Sequence, residues 1–353
     1  MREEKKEGTK KERNSGLYRV SETAQQKIWR IKIMFKELME EWNTSSKTRE
    51  DKFRYTKGMH TALMRASELK SLIEASIIDK IEITGSEMDI ILNEDHYNIK
   101  MRINANDYEE GPVLITALGN YEAEETDMVC KILDYFRTEK DFVVFDIGAN
   151  VGWYTMNILK RFTDWKVYSF EPSPITYERL VHNLQLNDLN SENAVNVGFY
   201  KENGKLDFYY DKETSGASSL VDLRERSSVS KISVDMKKMD DYVTEHHINR
   251  VDFIKCDVEG AELFVYEGGR EIITKNRPII FSEMLRKWAA KFGYTPNDII
   301  GFMKKLGYGC YVITQGEKLR ECPLVDEDTV ETNYFFLHRE KHEKVINALV
   351  DER

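Results

Sequence analysis

Residues 141–155 read DFVVFDIGANVGWYT: an apolar run that stops at an acidic residue, a turn carrying Gly148 and Gly152, and then a helical pattern. A run this short and this uniformly apolar suits a strand covered on both faces, which places it in a parallel sheet flanked by helices. Strand, acidic residue, glycine turn and helix is the layout of a ligand site at the carboxyl end of a first strand. Gly148 and Gly152 let the backbone turn sharply and come close to a ligand, because neither has a Cβ in the way.

The spacing departs from Gly-x-Gly-x-x-Gly, since Asn150 stands at the central glycine position, where a pyrophosphate would press on the backbone. Asp146 is a second objection, because a carboxylate repels a diphosphate; it suits a ligand carrying an amine and a sulfonium. The next apolar run, KVYSFEP (166–172), ends in Glu171, 25 residues after Asp146. A carboxylate there can accept both hydroxyl hydrogens of a ribose. Ribose and positive charge without a diphosphate describe S-adenosylmethionine, so Asp146, Gly148, Asn150, Gly152 and Glu171 are the expected cofactor residues. The plain alternative is that the glycines only turn the chain and Glu171 caps a helix.

Further short apolar runs, AVNVGFY (194–200), VDFIKCD (251–257) and RPIIFSEM (277–284), continue the alternation with amphipathic segments. LDFYYD (206–211) and ISVDM (232–236) read as a hairpin-like insertion between the third and fourth runs. Thr295-Pro296-Asn297-Asp298 opens a helix that Gly307 closes. Cys310–Thr314 and Asn333–Leu337 are expected to pair antiparallel at a sheet edge. The expected organisation is a charged tail over 1–16, a helical region over 17–92, short strands and a helix over 93–140, the α/β domain over 141–340, and a helical end over 341–353. Ile28, Ile31, Ile33, Met34, Leu38 and Met39 carry the helical period near the start, and Leu63, Met64, Leu69, Leu72 and Ile73 carry it further on.

DIGANVG, FEP, IKCDVEGAE and RPIIFSE, in that order, resemble the FkbM-type S-adenosylmethionine-dependent methyltransferases over roughly residues 120–340. Asp146, Gly148, Ala149, Asn150 and Gly152 fill the family's Asp-x-Gly-Ala-Asn-x-Gly turn. Lys255, Asp257, Glu259, Gly260 and Glu262 fill its Lys-x-Asp-x-Glu-Gly-x-Glu block. The resemblance implies a Rossmann-like, seven-stranded class I methyltransferase sheet, to which the helical N-terminal region is an extension. It also implies O-methylation, commonly of a sugar hydroxyl in a glycan or of a secondary metabolite.

An alcohol that takes a methyl group must lose its proton, and Asp257, Glu259 and Glu262 cluster where the fourth strand should end, beside Glu283 at the end of the fifth. Asp257, Glu259 and Glu283 are the candidate catalytic residues. Asp257 could also hold the methionine amine, or share a divalent cation with Glu283. No metal site is expected, since no third ligand with clear spacing stands beside that pair. Glu262 reads as helix-start electrostatics and Lys255 as the neutraliser of a neighbouring carboxylate. Ser215-Gly216-Ala217-Ser218-Ser219 could form a lip over the substrate, and Tyr121, Glu122, Glu124 and Glu125 could close over the cofactor or begin a helix. His338 and His342 read as a solvated surface pair rather than zinc ligands. His246-His247 sit in a loop with rings pointing apart.

The 353-residue chain is 41% hydrophobic, and 62 acidic against 52 basic residues give a formal charge of −10, which disfavours nucleic acid as a partner. Cys130, Cys256, Cys310 and Cys322 match no zinc spacing and read as reduced thiols. The first fourteen residues, six basic and four acidic, suit neither a secretory signal nor a transit peptide, and no apolar window is long enough for a membrane span. Cytoplasmic residence and a glycan or small-molecule acceptor are expected, with residues 17–92 available for self-association or a protein partner. N- or carboxyl-methylation on the same scaffold, or a non-catalytic cofactor-binding module, are the alternatives.

Overall fold

The computed structural model describes residues 37–45, 47–66, 69–104, 106–223, 225–314 and 318–351. The tail expected over 1–16 and the helical period through Met34 lie outside the described residues. The chain divides into two compact units, residues 1–72 and 73–353. In the first, residues 37–44 are helical and a second helix spans Arg49–Ala66. Thr48 and Asp51 start that helix with reciprocal bonds: the Thr48 N–H donates to Asp51 Oδ2 at 3.0 Å and the Asp51 N–H to Thr48 Oγ1 at 3.1 Å. Trp42 stacks on Tyr55 with centroids 5.1 Å apart.

The second unit opens with strands β1 (Ile78–Thr84), β2 (Glu87–Leu92) and β3 (Lys100–Arg102), an antiparallel sheet in that order. The helical expectation through residue 92 therefore fails from Ile78 onward. Ile81 and Ile83 alternate with charged residues at period two, and Gly85, at φ +62°, takes the tight turn that joins β1 to β2.

The main sheet is built from β4 (Val143–Ile147), β5 (Lys166–Phe170), β6 (Ala194–Val195), β10 (Phe253–Cys256), β11 (Ile279–Glu283), β12 (Tyr308–Thr314), β13 (Lys318–Glu321) and β14 (Asn333–His338). A separate three-stranded sheet holds β7 (Gly198–Phe199), β8 (Gly204–Asp211) and β9 (Val229–Lys237). The main order is β13-β12-β14-β11-β10-β4-β5-β6. The neighbours from β6 to β11 pair in parallel, and β14 pairs antiparallel with both β11 and β12. Seven of the eight strands are the expected Rossmann-like set; β13 is added outside β12, so the 310–314 run pairs with 333–337 but does not form the edge.

The AVNVGFY run is not one strand. It breaks between β6 and β7 because the Asn196 side chain donates to the carbonyls of Glu171 and Pro172, at 2.8 and 3.0 Å, and diverts the chain into the small sheet. From β4 the chain builds outward through β5 and β6, then returns to lay β10 on the other side of β4. The crevice between the carboxyl ends of β4 and β10 is the switch point where open α/β sheets bind ligands. Helix Trp153–Arg161 follows the turn after β4, and helix Pro296–Lys305 starts where expected, at Thr295, which forms a capping box with Asp298. Beneath the crevice, Phe145, Phe170, Phe199 and Tyr242 pack ring against ring with centroids 4.4–6.3 Å apart.

Candidate active site

The turn after β4 is held by backbone bonds from both sides. The Gly148 and Ala149 N–H groups donate to the Phe170 carbonyl at 2.9 and 3.0 Å, which ties the turn to the end of β5. Gly148 has φ +72°, and a Cβ there would stand 1.8 Å from the Asp257 carbonyl oxygen. Only glycine fits, because the ends of β4 and β10 meet at this atom. Gly152, at φ +93°, starts the following helix against Leu180.

Glu171 is buried at the end of β5. Its Oε2 accepts from the Asn150 N–H at 3.1 Å and its Oε1 from the Ser173 N–H at 2.9 Å, which leaves each oxygen one further lone pair. Burial outweighs these bonds and raises the carboxyl to about 7. Gly148, Asn150, Glu171, Asp257 and Glu259 all line one cavity. Asp146 does not. Its Oδ2 accepts from the Thr155 N–H at 3.1 Å and Oγ1 at 2.6 Å, pinning the helix to the strand. The expectation that Asp146 meets a ligand amine directly is thus replaced by a supporting role, because its carboxylate is turned into the sheet.

Lys255 lies within β10, buried. Its Nζ donates to the Gly148 carbonyl at 2.7 Å and stands 3.4 Å from Asp257 and 3.7 Å from Asp146. Burial alone would lower its pKa, but these two carboxylates and Glu122 hold it above the ordinary value. This is the expected neutralising role. Glu262 closes the turn after β10: Oε1 accepts from the Val258 and Gly260 N–H groups at 3.2 and 3.0 Å, and Oε2 from the Tyr294 hydroxyl at 3.0 Å. With all that capacity committed, and with burial raising it to about 7, Glu262 is a clamp rather than a reagent.

Asp257, Glu259 and Glu283 do converge, each offering a carboxylate oxygen within 4.8 Å of the others. The expected clustering of these three is what the structure shows, and Glu259 is the third carboxylate whose spacing did not mark it as a partner of Asp257 and Glu283; it reaches them because its backbone turns at φ +53°. Glu283 sits well above the usual carboxylate range, first through burial and then through the charges of Asp257, Glu259, Glu262 and Glu122. Tyr121 and Glu122 precede the helix Ala123–Asp134 rather than belonging to it. Glu122 accepts from the Tyr154 hydroxyl at 2.7 Å, and burial followed by Asp257 raises its pKa.

The Ser215–Ser219 segment is fixed in place, not a free lip. The Ser219 hydroxyl donates to the Glu259 carbonyl at 2.8 Å, and the Asp211 N–H donates to Ser218 Oγ at 3.0 Å. His338 and His342 are buried, contrary to the expected solvated surface; His342 Nδ1 accepts from the His338 N–H at 2.9 Å because the chain reverses between them. Sequence reading missed Asp107 and Arg179, 3.2 Å apart, which border this region. They lie 72 positions apart, with no shared motif or period to reveal the pair.

A pH effect follows from Glu171. A carboxyl raised in the folded chain from 4.5 to about 7 favours folding while protonated and loses that contribution as pH climbs through this interval. The wild-type melting temperature should therefore fall relative to that of Glu171→Gln between about pH 4.5 and pH 7. A constant difference across that window would refute the assignment.

Residues 146–310 match the family profile described as the methyltransferase FkbM domain. Over these residues the chain is similar to the FkbM methyltransferases. The chain is 30% identical over 153 residues to methyltransferase sdnD of Sordaria araneosa, covering 35% of this chain and 59% of that protein. It is 30% identical over 156 residues to 2-O-methyltransferase NoeI of Sinorhizobium fredii, covering 40% and 63%. Hexuronic acid methyltransferase AglP of Haloferax volcanii is 26% identical over 150 residues, covering 41% and 56%. The chain thus spans about three fifths of the length of the curated relatives it matches. A solved FkbM methyltransferase from Methylobacillus flagellatus aligns at 17% identity with a TM-score of 0.36, over 56% of this chain and 43% of that one. No helix among the described residues is long and apolar enough to cross a membrane.

Proposed function

We propose that this chain transfers the methyl group of S-adenosylmethionine to a hydroxyl of a sugar, in a glycan or a glycosylated metabolite. The observation that carries the reading is the meeting, in one switch-point cavity, of Glu171 with Asp257 and Glu259. The residues fit the cofactor: Glu171 keeps lone pairs for ribose hydroxyls, Asn150 Oδ1 is buried with no hydrogen-bond partner among the described residues, and the Gly148 turn lets the ligand approach the backbone. When bound, the cofactor supplies an electrophilic methyl on a sulfonium. The protein then has two tasks. It must hold the acceptor oxygen in line with that methyl, which supplies much of the effect, and it must take the hydroxyl proton as the C–O bond forms. Asp257 is the candidate proton acceptor because it lines the cavity and its side chain is 31% exposed. The name of AglP, a hexuronic acid methyltransferase, supports a sugar as the acceptor class, and that of NoeI, a 2-O-methyltransferase, supports an oxygen as the atom methylated.

The test is incubation of the protein with labelled S-adenosylmethionine and glycan or nucleotide-sugar extracts, with mass spectrometry of the labelled product. Label on a sugar oxygen is the expected result; label on nitrogen or a carboxyl group would reassign the acceptor, and cofactor binding with no transfer would favour a binding module. On the same reading, Glu171→Ala should weaken cofactor binding by roughly 2–3 kcal/mol, because bonds to a charged acceptor contribute about 1.5–3 kcal/mol. An unchanged dissociation constant in a folded variant would remove Glu171 from the ribose.

A further inference from the structure

One wall of the cavity comes from the insertion between β8 and β9 rather than from a strand end of the main sheet. Ser215 lines the cavity, is only 6% exposed, and its Oγ is buried without a hydrogen-bond partner among the described residues. The two other serines of the segment nearest the cavity are committed, Ser218 to the Asp211 N–H and Ser219 to the Glu259 carbonyl. A buried hydroxyl left unpaired costs about 1–3 kcal/mol, so a hydroxyl kept at a cavity wall points to a partner that enters the cavity.

Its neighbours indicate which end of the cavity is meant. Gly216 lies against Asn150: a Cβ on it would stand 3.7 Å from Asn150 Nδ2. The Asn150 N–H in turn donates to Glu171, and Asn150 Oδ1 is the second buried oxygen here without a partner. Two unpaired oxygens in the cavity that Glu171 also lines suit a ligand edge rich in donors, which ribose hydroxyls and an adenine amine provide.

The position of Ser215 is set from outside the insertion. Its N–H donates to both oxygens of Asp107, at 3.3 and 3.2 Å. Asp107 is buried and receives Arg179 Nη1 at 3.2 Å; the same guanidinium donates to Glu110 at 3.2 Å and to the Tyr210 hydroxyl at 3.1 Å. One arginine thereby joins the segment before helix Gly111–Leu118, helix Pro174–Leu186 and strand β8.

We propose that Ser215 is a cofactor-contact residue contributed by the insertion, and that Asp107, clamped by Arg179, is the residue that positions it. The inference rests on the S-adenosylmethionine reading and adds a second wall to that site.

The test is calorimetric titration of the full chain with S-adenosylmethionine for wild type, Ser215→Ala, Asp107→Asn and the double variant. Ser215→Ala should bind roughly threefold to tenfold more weakly, the worth of one ordinary hydrogen bond, with a ligand-free melting temperature unchanged or raised because an unpaired hydroxyl has gone. Asp107→Asn should weaken binding comparably, and the double variant should be no weaker than the weaker single, since Asp107 acts through Ser215. Unchanged affinity in Ser215→Ala overturns the contact. Additive losses overturn the positioning role. Ser215→Ala removes only a hydroxyl, so the contact stays falsifiable if Asp107→Asn does not fold. A wild-type chain that fails to bind overturns the cofactor reading itself, and this inference with it.

Discussion

Replacing Asp257 with asparagine is expected to cut methyl transfer by roughly a hundredfold or more while leaving cofactor affinity nearly unchanged. The substitution keeps the shape of the side chain and removes the proton-accepting charge. Asp257 stands at the switch point with Lys255 at 3.4 Å, and shares a carboxylate cluster with Glu259 and Glu283. In that company burial and the neighbouring carboxylates push Glu283 well above the usual carboxylate range, while Asp257 lines the cavity. Single-turnover assays with saturating cofactor would separate the chemical step from binding. Chelation supplies the control. If Asp257 is a plain base, chelators change nothing; loss of activity that a divalent cation restores would mean that the three carboxylates hold an ion and lower the acceptor's pKa through it. Full turnover in Asp257→Asn would sink the base assignment and direct attention to Glu259.

The largest stability effect is expected from Lys255→Met. Its ammonium is buried among Gly148, Asp146 and Asp257. Removing one partner of a buried ion pair costs about 3–5 kcal/mol, because the charges left behind are uncompensated. In a unit of this size that corresponds to a melting temperature lower by on the order of 10 °C. Arginine should not rescue it, since a planar fork does not fit a site built around a point charge. Denaturant titration with a loss below about 1 kcal/mol would show that the pair carries little net energy, as can happen when desolvation cancels attraction.

The turn after β4 was readable because two chemical requirements coincide there: a strand covered on both faces must be uniformly apolar, and a positive φ at Gly148 and Gly152 excludes most side chains. Glu171 was readable for its place at a strand end, although its two bonds to backbone N–H groups were not. Asp146 shows the limit of such reading. Residue type and position put a carboxylate at the strand end, but its direction, toward Thr155 and away from the cavity, depends on packing. Asn196 breaks an apolar run through side-chain bonds that leave no trace in a hydropathy pattern. Glu259 joins Asp257 and Glu283 through a left-handed backbone turn, which glutamate seldom adopts and sequence does not announce. Asp107 and Arg179 meet only because distant elements are folded together.

The seam at Gly148 bears on how molecules come and go. With no space for a methyl group between Gly148 and the Asp257 carbonyl, and with Lys255 bonded across the same gap, the cofactor turn and the proposed base behave as one rigid piece. Neither can swing aside without parting β4 from β10 in the middle of the sheet. The opposite wall hangs on side-chain bonds from Asp107 and Ser219. On the proposed reading, the insertion is the wall expected to yield when ligands exchange, and the bonds from Asp107 and Ser219 are among those it would break.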